Sequence, residues 1–412
     1  MSAHSCPSEP RGSGRSGLQV ADVFRAHGPA YLDAHGPQLH PHQAKVLRAV
    51  IACRTSALGG HLWKCGSCGH ELPAYSSCRD RHCPTCEHQR QQKWIAARME
   101  RMLPVPHFHV VFTLPAELRA LTLANPAVVL PLIFQAASST LLTLGEQRLG
   151  GTLGVTAVLH TWGGQIQYHP HLHCIVTGGA YDVEADSWQP AGRKYLFPVE
   201  AMRSMFRRRF LDSLQECRDR GELAFVGGCA ELEADKAWAR LRDALYDKDW
   251  VVFAKAPFRD TPALVKYPGA YTHRVAISSS RLVALTDQLV TFRDKKGALV
   301  RLRPEEFIRR FLLHVLTPGF TKIRHYGLYA SANVNRKLPR ARALLGPRRH
   351  LPALLELIAA VLLDTDRRPC PKCEGGTMVR AASIPADPAV LAHRSKRRCR
   401  GPPSPLPPGF DA

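Results

Sequence analysis

Two histidines one residue apart, His171 and His173, sit in the segment Tyr168-His-Pro-His-Leu-His-Cys174. In a strand, alternate side chains share a face, so both imidazoles would point one way and Leu172 the other. Two imidazoles on one pleated face form a partial ligand set for a divalent cation. His160 lies eleven residues before His171, in GVTAVLHTW, and a hairpin through GGQIQYHP would bring it beside the pair. Further on, Tyr267 and Tyr271 stand four apart in VKYPGAYTHRVAISSSRL. On a helix that spacing puts both hydroxyls on one side. A tyrosine phenolate can attack a DNA phosphorus, leaving a covalent 5′-phosphotyrosine and a free 3′-OH, and the retained bond energy makes rejoining independent of ATP. With a pKa near 10 the phenol needs a nearby positive charge or a base. Arg274, three residues after Tyr271, is close enough on a helix to lower that pKa or hold a phosphate. A cation held by the histidines would polarise the scissile phosphate.

The chain has 13 cysteines, five of them between Cys65 and Cys86. Cys65-Gly-Ser-Cys68 and Cys83-Pro-Thr-Cys86 are two CxxC knuckles separated by fourteen residues. Each knuckle turns two thiolates toward one ion, so the pair predicts one closed, structural Zn²⁺ site of Cys65, Cys68, Cys83 and Cys86. Cys78 and His82 lie inside the intervening loop as substitutes for a ligand. Cys370-Pro-Lys-Cys373 is half a site, with Cys399 or another chain as the missing half. Cys53, Cys174, Cys217 and Cys229 lie in apolar surroundings and read as buried packing residues.

These residues need a framework, and composition bounds it. The chain has 412 residues, 45% apolar and 22% charged, enough for two or three globular domains. Lys plus Arg is 56 against 34 acids, a net charge of +22, which points to a polyanionic partner. The polar start lacks the apolar core of a signal peptide, and the apolar stretch from Ala127 to Leu144 is broken by Pro131, Gln135 and two serines, so no membrane association is expected. Reduced cysteines, and hence metal ligation, follow from a cytoplasmic location. Short β-branched and aromatic runs, HFHVVFTL, GVTAVLHTW, HLHCIVT and DWVVFAK, read as strands, with helices over Ala127–Leu144 and Val199–Arg220. A strand pair near Leu285–Phe292 and Ala298–Leu302 precedes a helix opened by Pro304. Another helix is expected from Glu87 to Leu103. The expected domains are a disordered lead-in over 1–17, a zinc- and DNA-binding module over 18–105, a catalytic domain over 106–330, a basic helical segment over 331–369, and a largely disordered CxxC and Pro-rich tail over 370–412. Residues 301–350 carry twelve Lys or Arg and two acids, with Phe320, His325, Tyr326 and Tyr329 interleaved, a composition suited to single-stranded DNA.

Together these segments resemble the transposases of the insertion sequence 91 family, two-tyrosine members of the His-hydrophobic-His (HUH) endonucleases. The resemblance runs from about residue 20 to 350 through SCRDRHCPTC, HVVFTLP, LHTWGGQIQYHPHLHCIV, DWVVFAKAPF, YTHRVAIS and EFIRRFLLHVLTPGFTKIRHYGL. It implies an α+β fold, an HUH-type central antiparallel sheet with flanking helices, preceded by a small helical zinc-binding module. It also implies a metal-dependent DNA strand transferase acting in rolling-circle-like transposition of single-stranded DNA. His171 and His173, joined by His160, would hold Mg²⁺ or Mn²⁺; Tyr271 and Tyr267 match the two nucleophiles; and Arg274, Arg309, Arg310, Lys322 and Arg324 would contact DNA. The partner would be the single-stranded ends of its own mobile element, in a bacterial cytoplasm at the nucleoid. Where the family has a Leu-Gly-Arg-like linker between the tyrosines, this chain has Pro268-Gly269-Ala270. Pro268 fits only a first helical turn, which favours Tyr271 as nucleophile. The competing readings are a zinc-containing DNA-binding protein without cleavage activity, a water-activating metallohydrolase, and a relaxase or replication initiator with the same site.

Overall fold

The computed structural model describes residues 17–86, 101–192, 195–258, 276–346 and 368–390. In chain order, α1 (Val20–His35) and α2 (Pro41–Ile51) lead into the hairpin β1 (Gly60–Cys65) and β2 (Glu71–Tyr75). Then follow β3 (His107–Thr113), α3 (Arg119–Ala124), α4 (Pro126–Leu149), β4 (Gly154–Trp162), β5 (Tyr168–Thr177), β6 (Gly179–Asp182) and β7 (Ser187–Pro190). The helices α5 (Val199–Asp219) and α6 (Asp235–Asp247) precede β8 (Val252–Phe258). The remainder is β9 (Leu282–Leu285), β10 (Val290–Arg293), β11 (Leu299–Leu302), α7 (Pro304–Leu312), β12 (Ile323–Gly327), α8 (Ser331–Val334), α9 (Lys337–Leu345), β13 (Arg368–Pro369) and β14 (Thr377–Ile384).

The central sheet has the order β12-β4-β5-β3-β8 and is antiparallel throughout. Strand alternation divides it into two faces. One face carries Phe108, Val110 and Phe112, Val155, Ala157 and Leu159, and Leu172, Cys174 and Val176, all buried. They form one core with α4 and α5. Phe112 meets Phe206 at 4.9 Å between ring centroids, and Phe206 and Phe210 pack edge-on against Trp250 at 5.4 and 5.5 Å. Helix α4 is apolar over most of its length because it is a core helix, with Glu146, Gln147 and Arg148 confined to its last turn. It is long and apolar enough to cross a membrane, yet most of it is packed inside the protein. It ends at Gly150, whose φ of 66° closes the last turn in the left-handed region. The opposite face of the sheet carries the histidines.

A second core joins distant parts of the chain. Phe24 of α1 lies 4.8 Å from Phe311 and 6.3 Å from Phe307 of α7, and Phe307 lies 6.0 Å from Phe292 of β10. The three-stranded sheet β11-β10-β9 and α7 thus pack with α1 and α2, not on the core of the central sheet, although the sequence places them inside the catalytic domain. The described part of the N-terminal module also adds a β-hairpin to its two helices. Its hairpin is the edge of a sheet ordered β13-β14-β1-β2, with Gly60 opposite Ile384 and Cys65 opposite Met378. The expected tail from residue 370 is therefore strand-forming through Ile384, not disordered. The rest of that tail beyond 390, the lead-in through residue 16 and most of the helix expected over Glu87–Leu103 lie outside the described residues.

Candidate active site and cysteine centres

The hairpin β4–β5 sets His160 directly opposite His171, and Val158 opposite His173. On the other side of β5, Thr113 and Val111 of β3 stand opposite His171 and His173. One ligand nitrogen each from His160, His171 and His173 falls within 4.8 Å of the others. All three are buried. The structure brings these three histidines together: a period of two aligns His171 with His173, and the hairpin register supplies His160. Leu172 between them is fully buried in the opposite layer, fixing the register of the pair.

Hydrogen bonds orient His171 and His173, and His160 stacks on the Trp162 ring at 4.5 Å. His171 Nδ1 lies 2.7 Å from the His169 carbonyl oxygen, so Nδ1–H donates and Nε2 carries the lone pair. His173 Nδ1 lies 2.8 Å from Nε2 of His109 on β3, with the two rings stacked at 5.0 Å and 7°. Burial pushes the His171 pKa down to about 3 and that of His173 well below the ordinary imidazole value. Neighbouring histidines and the charges of Lys295 and Lys322 reinforce the shift at His173. Burial, then Lys255, brings His109 to about 4. His109, His171 and His173 are thus neutral at cellular pH, as metal ligation by the latter two requires. A buried three-imidazole set without a carboxylate among its members fits a divalent cation of borderline softness, Mn²⁺ better than Mg²⁺. His109 gave no signal in the sequence as a member of the site; only strand pairing brings it there.

The predicted DNA contacts separate. Lys322 Nζ lies over the Trp162 ring at 4.9 Å, on the approach to the histidines. Arg324 faces the helix layer, its guanidinium 4.3 Å from the Phe134 ring and 5.4 Å from Phe320. Arg309 and Arg310 both bind Glu306 at 2.6 Å, and Arg310 also donates to the Gln165 carbonyl at 3.1 Å. Lys255 and Lys295, which the sequence did not single out, stand near enough to the histidines to disfavour their protonation. Tyr267, Tyr271 and Arg274 lie outside the described residues.

The four cysteines expected to share one ion do not meet. Cys83 and Cys86 cluster with Cys53 and Cys78, whereas Cys65 and Cys68 cluster with Cys370 and Cys373. The cause is the β1–β2 hairpin: Cys65 and Cys68 lie at its turn, while Cys78 to Cys86 follow its return strand. In the first cluster, Sγ of Cys86 lies 3.5 Å from Sγ of both Cys53 and Cys78. Backbone N–H groups of Cys78 and Asp80 point at the sulfurs of Cys53 and Cys78, both at 3.4 Å. Zinc–sulfur bonds of about 2.3 Å give tetrahedral edges of about 3.8 Å, so these spacings suit one ion with little movement. Cys78 thus joins the ligand set and Cys53 is not a mere packing residue. His82 is outside it: its Nδ1 is 3.1 Å from Asp80 and its Nε2 accepts the Leu316 N–H at 3.2 Å. The adjacent Arg81 donates to the carbonyls of Leu316, Thr317 and Phe320, tying this loop to the segment before β12.

Comparison with known proteins supplies the family. Residues 154–337 match a family described as "Putative transposase", and residues 23–114 match the "Transposase zinc-binding domain". The chain is 41% identical over 381 residues, 89% of its length and 95% of the relative's, to "Putative transposase y4qJ" of Sinorhizobium fredii (strain NBRC 101917 / NGR234). It is 28% identical over 355 residues, 83% of its length and 84% of the relative's, to "Transposase for insertion sequence element IS801" of Pseudomonas savastanoi pv. phaseolicola. No solved structure matches the chain significantly. With both domains matched in order and one relative aligned nearly end to end, the chain belongs to the IS91 family of transposases.

Proposed function

We propose that this transposase nicks and transfers single-stranded DNA at the ends of its own mobile element through covalent 5′-phosphotyrosine intermediates, in rolling-circle-like transposition. The observation that carries the reading is the histidine triad, three buried imidazoles within 4.8 Å on one sheet face, with lysines near enough to disfavour protonation of His171 and His173. Tyr271 is the first-choice nucleophile and Tyr267 the second. The described residues on either side of their segment stand at opposite ends of the histidine-bearing sheet. Phe258 pairs with His107 at one end, and Ala276 and Ile277 share a core with Ile166 of the β4–β5 turn at the other.

In this reading the phenolate oxygen of Tyr271 attacks the scissile phosphorus. The bond from phosphorus to the 3′ oxygen breaks, releasing a 3′-OH and leaving the 5′-phosphate on the tyrosine. Attack by a 3′-OH on that linkage reverses the step and joins strands. A divalent cation held by His160, His171 and His173 would supply electrostatic polarisation of the phosphate oxygens. Lys255, Lys295 and Lys322 would position the backbone, and Phe253, half-exposed beside Lys255 on the edge strand, offers a ring for a base. The zinc-binding module would dock DNA near the loop that Arg81 ties down. The reaction would take place in the bacterial cytoplasm, at the nucleoid.

The test is incubation of the protein with Mn²⁺ and labelled single-stranded DNA from its element's ends, followed by denaturing electrophoresis. The expected result is a covalent adduct lost in Tyr271→Phe and in His171→Ala. An adduct that survives Tyr271→Phe and Tyr267→Phe together would overturn the nucleophile assignment. Tight DNA binding with no adduct would point to a DNA-binding protein without cleavage activity.

A further inference from the structure

Cys370 and Cys373 fall outside both matched domains, and the Pro-Lys between them reads in sequence as half of a site. The fold provides the other half from more than 300 residues away. Sγ of Cys65 lies 3.7 Å from Sγ of Cys373, and Sγ of Cys68 lies 3.7 Å from Sγ of Cys370, separations of 308 and 302 residues. Those are edges of a tetrahedron whose centre-to-sulfur distance is about 2.3 Å. The backbone is arranged around the sulfurs: Cys68 N–H approaches Cys65 Sγ at 3.5 Å and Lys372 N–H approaches Cys370 Sγ at 3.3 Å. Cys370 N–H donates to the Gly376 carbonyl at 2.7 Å and Gly66 N–H to that of Thr377 at 3.2 Å. Gly376 lies against the group so closely that a Cβ there would stand 2.5 Å from Cys373 Sγ and 2.7 Å from Cys65 Sγ, so only glycine leaves the four sulfurs room. Around them, Trp63, Leu72 and Met378 form only a small apolar cluster.

We propose that Cys65, Cys68, Cys370 and Cys373 bind a second structural Zn²⁺, which closes the C-terminal strand onto the N-terminal hairpin. Two knuckles from opposite ends of the chain fill all four tetrahedral positions, so the ion has no open site for chemistry and acts as a clasp. The clasp explains how β14 holds its place as a strand of the N-terminal sheet, with few apolar contacts of its own: most of its residues from Val379 to Ser383 are exposed. It also fixes Arg368, Lys372 and Arg380 on the zinc-binding module, adding a basic strip from the far end of the chain.

Zinc counted by mass spectrometry on the full chain tests this, in a His160→Ala, His171→Ala background so that imidazole-held metal does not contribute. The expected count is two per chain. Cys370→Ser with Cys373→Ser should leave one, Cys65→Ser with Cys68→Ser should also leave one, and all four together should still leave one. Cys373→His should retain two. Hydrogen exchange should show the 377–384 amides losing protection in Cys370→Ser with Cys373→Ser while β3 to β5 keep theirs. A count of one in the parent protein, or a count unchanged by Cys370→Ser with Cys373→Ser, would overturn the proposal. If that variant misfolds throughout, the count in the parent protein still decides, because a single site composed of Cys65, Cys68, Cys83 and Cys86 holds one ion and not two.

Discussion

His109 is the residue whose replacement most sharply tests the histidine centre. It lies on β3, is almost fully buried, and its Nε2 is 2.8 Å from Nδ1 of His173. For Nε2 of His173 to present a lone pair toward His160 and His171, its Nδ1 must carry the proton, and His109 must accept it. Burial and Lys255 hold His109 near a pKa of about 4, so it is neutral and able to accept at neutral pH. Without this partner the His173 ring loses its fixed tautomer and orientation. Loss of an outer hydrogen bond to a ligating histidine typically weakens metal binding about 10–100-fold, or roughly 1.4–2.7 kcal/mol. His109→Ala should therefore raise the Mn²⁺ dissociation constant by that factor in calorimetric titration. His109→Gln, whose amide oxygen can accept the same proton, should recover most of the loss. At saturating Mn²⁺ the rate of adduct formation in His109→Ala should approach the parent rate, because the residue acts through His173. A dissociation constant within twofold of the parent would refute the reasoning. A rate that saturating Mn²⁺ does not restore would show that His109 acts on the DNA itself.

The pH dependence of stability should carry a contribution from His314, whose Nε2–H donates to the Ile166 carbonyl at 2.9 Å and whose pKa burial lowers to about 4. The unfolded chain takes up the proton near pH 6.5 while the folded chain does not until about pH 4, so stability falls as pH drops through that window, by on the order of 3 kcal/mol. Denaturant titrations at pH 7 and pH 5 should show about 2 kcal/mol of this loss on top of that from the other buried histidines, and His314→Gln should lessen the loss by that amount; an equal loss in both proteins would remove His314 as a cause. Leu172→Ala should cost about 2–5 kcal/mol, read as a lower denaturation midpoint, because it empties a fully buried position opposite the histidines. A cost below about 1 kcal/mol would mean that Leu172 does not anchor β5. Lys322→Ala and Lys295→Ala should each reduce the salt dependence of single-stranded DNA binding by about 0.7 in the logarithmic slope. Arg309→Ala should change it less, since Glu306 already holds that guanidinium; equal effects would contradict the ion-pair argument.

The sequence determined what depends on local periodicity. Alternation along Tyr168–Cys174 put His171 and His173 on one face, and the spacing through GGQIQYHP fixed a hairpin that brings His160 opposite His171. Pro304 with two following acids marked the start of α7, and the largely apolar stretch Ala127–Leu144 marked a helix. Order along the chain was enough to recognise a transposase. Tertiary structure decided what depends on contacts between distant segments. CxxC spacing shows that two thiolates face one ion, but not which second pair completes it: the β1–β2 hairpin parts Cys65 and Cys68 from Cys83 and Cys86, giving the latter Cys53 and Cys78. The same hairpin takes Cys370 and Cys373 as partners because β14 pairs with β1 in register, a long-range pairing with no trace in local pattern. His109 was hidden for the same reason, since strand order in a sheet is set by packing and loop connections, not by any one strand's residues. Likewise the burial that keeps these imidazoles neutral, and so ready to hold a metal, exists only once helices and strands have closed around them.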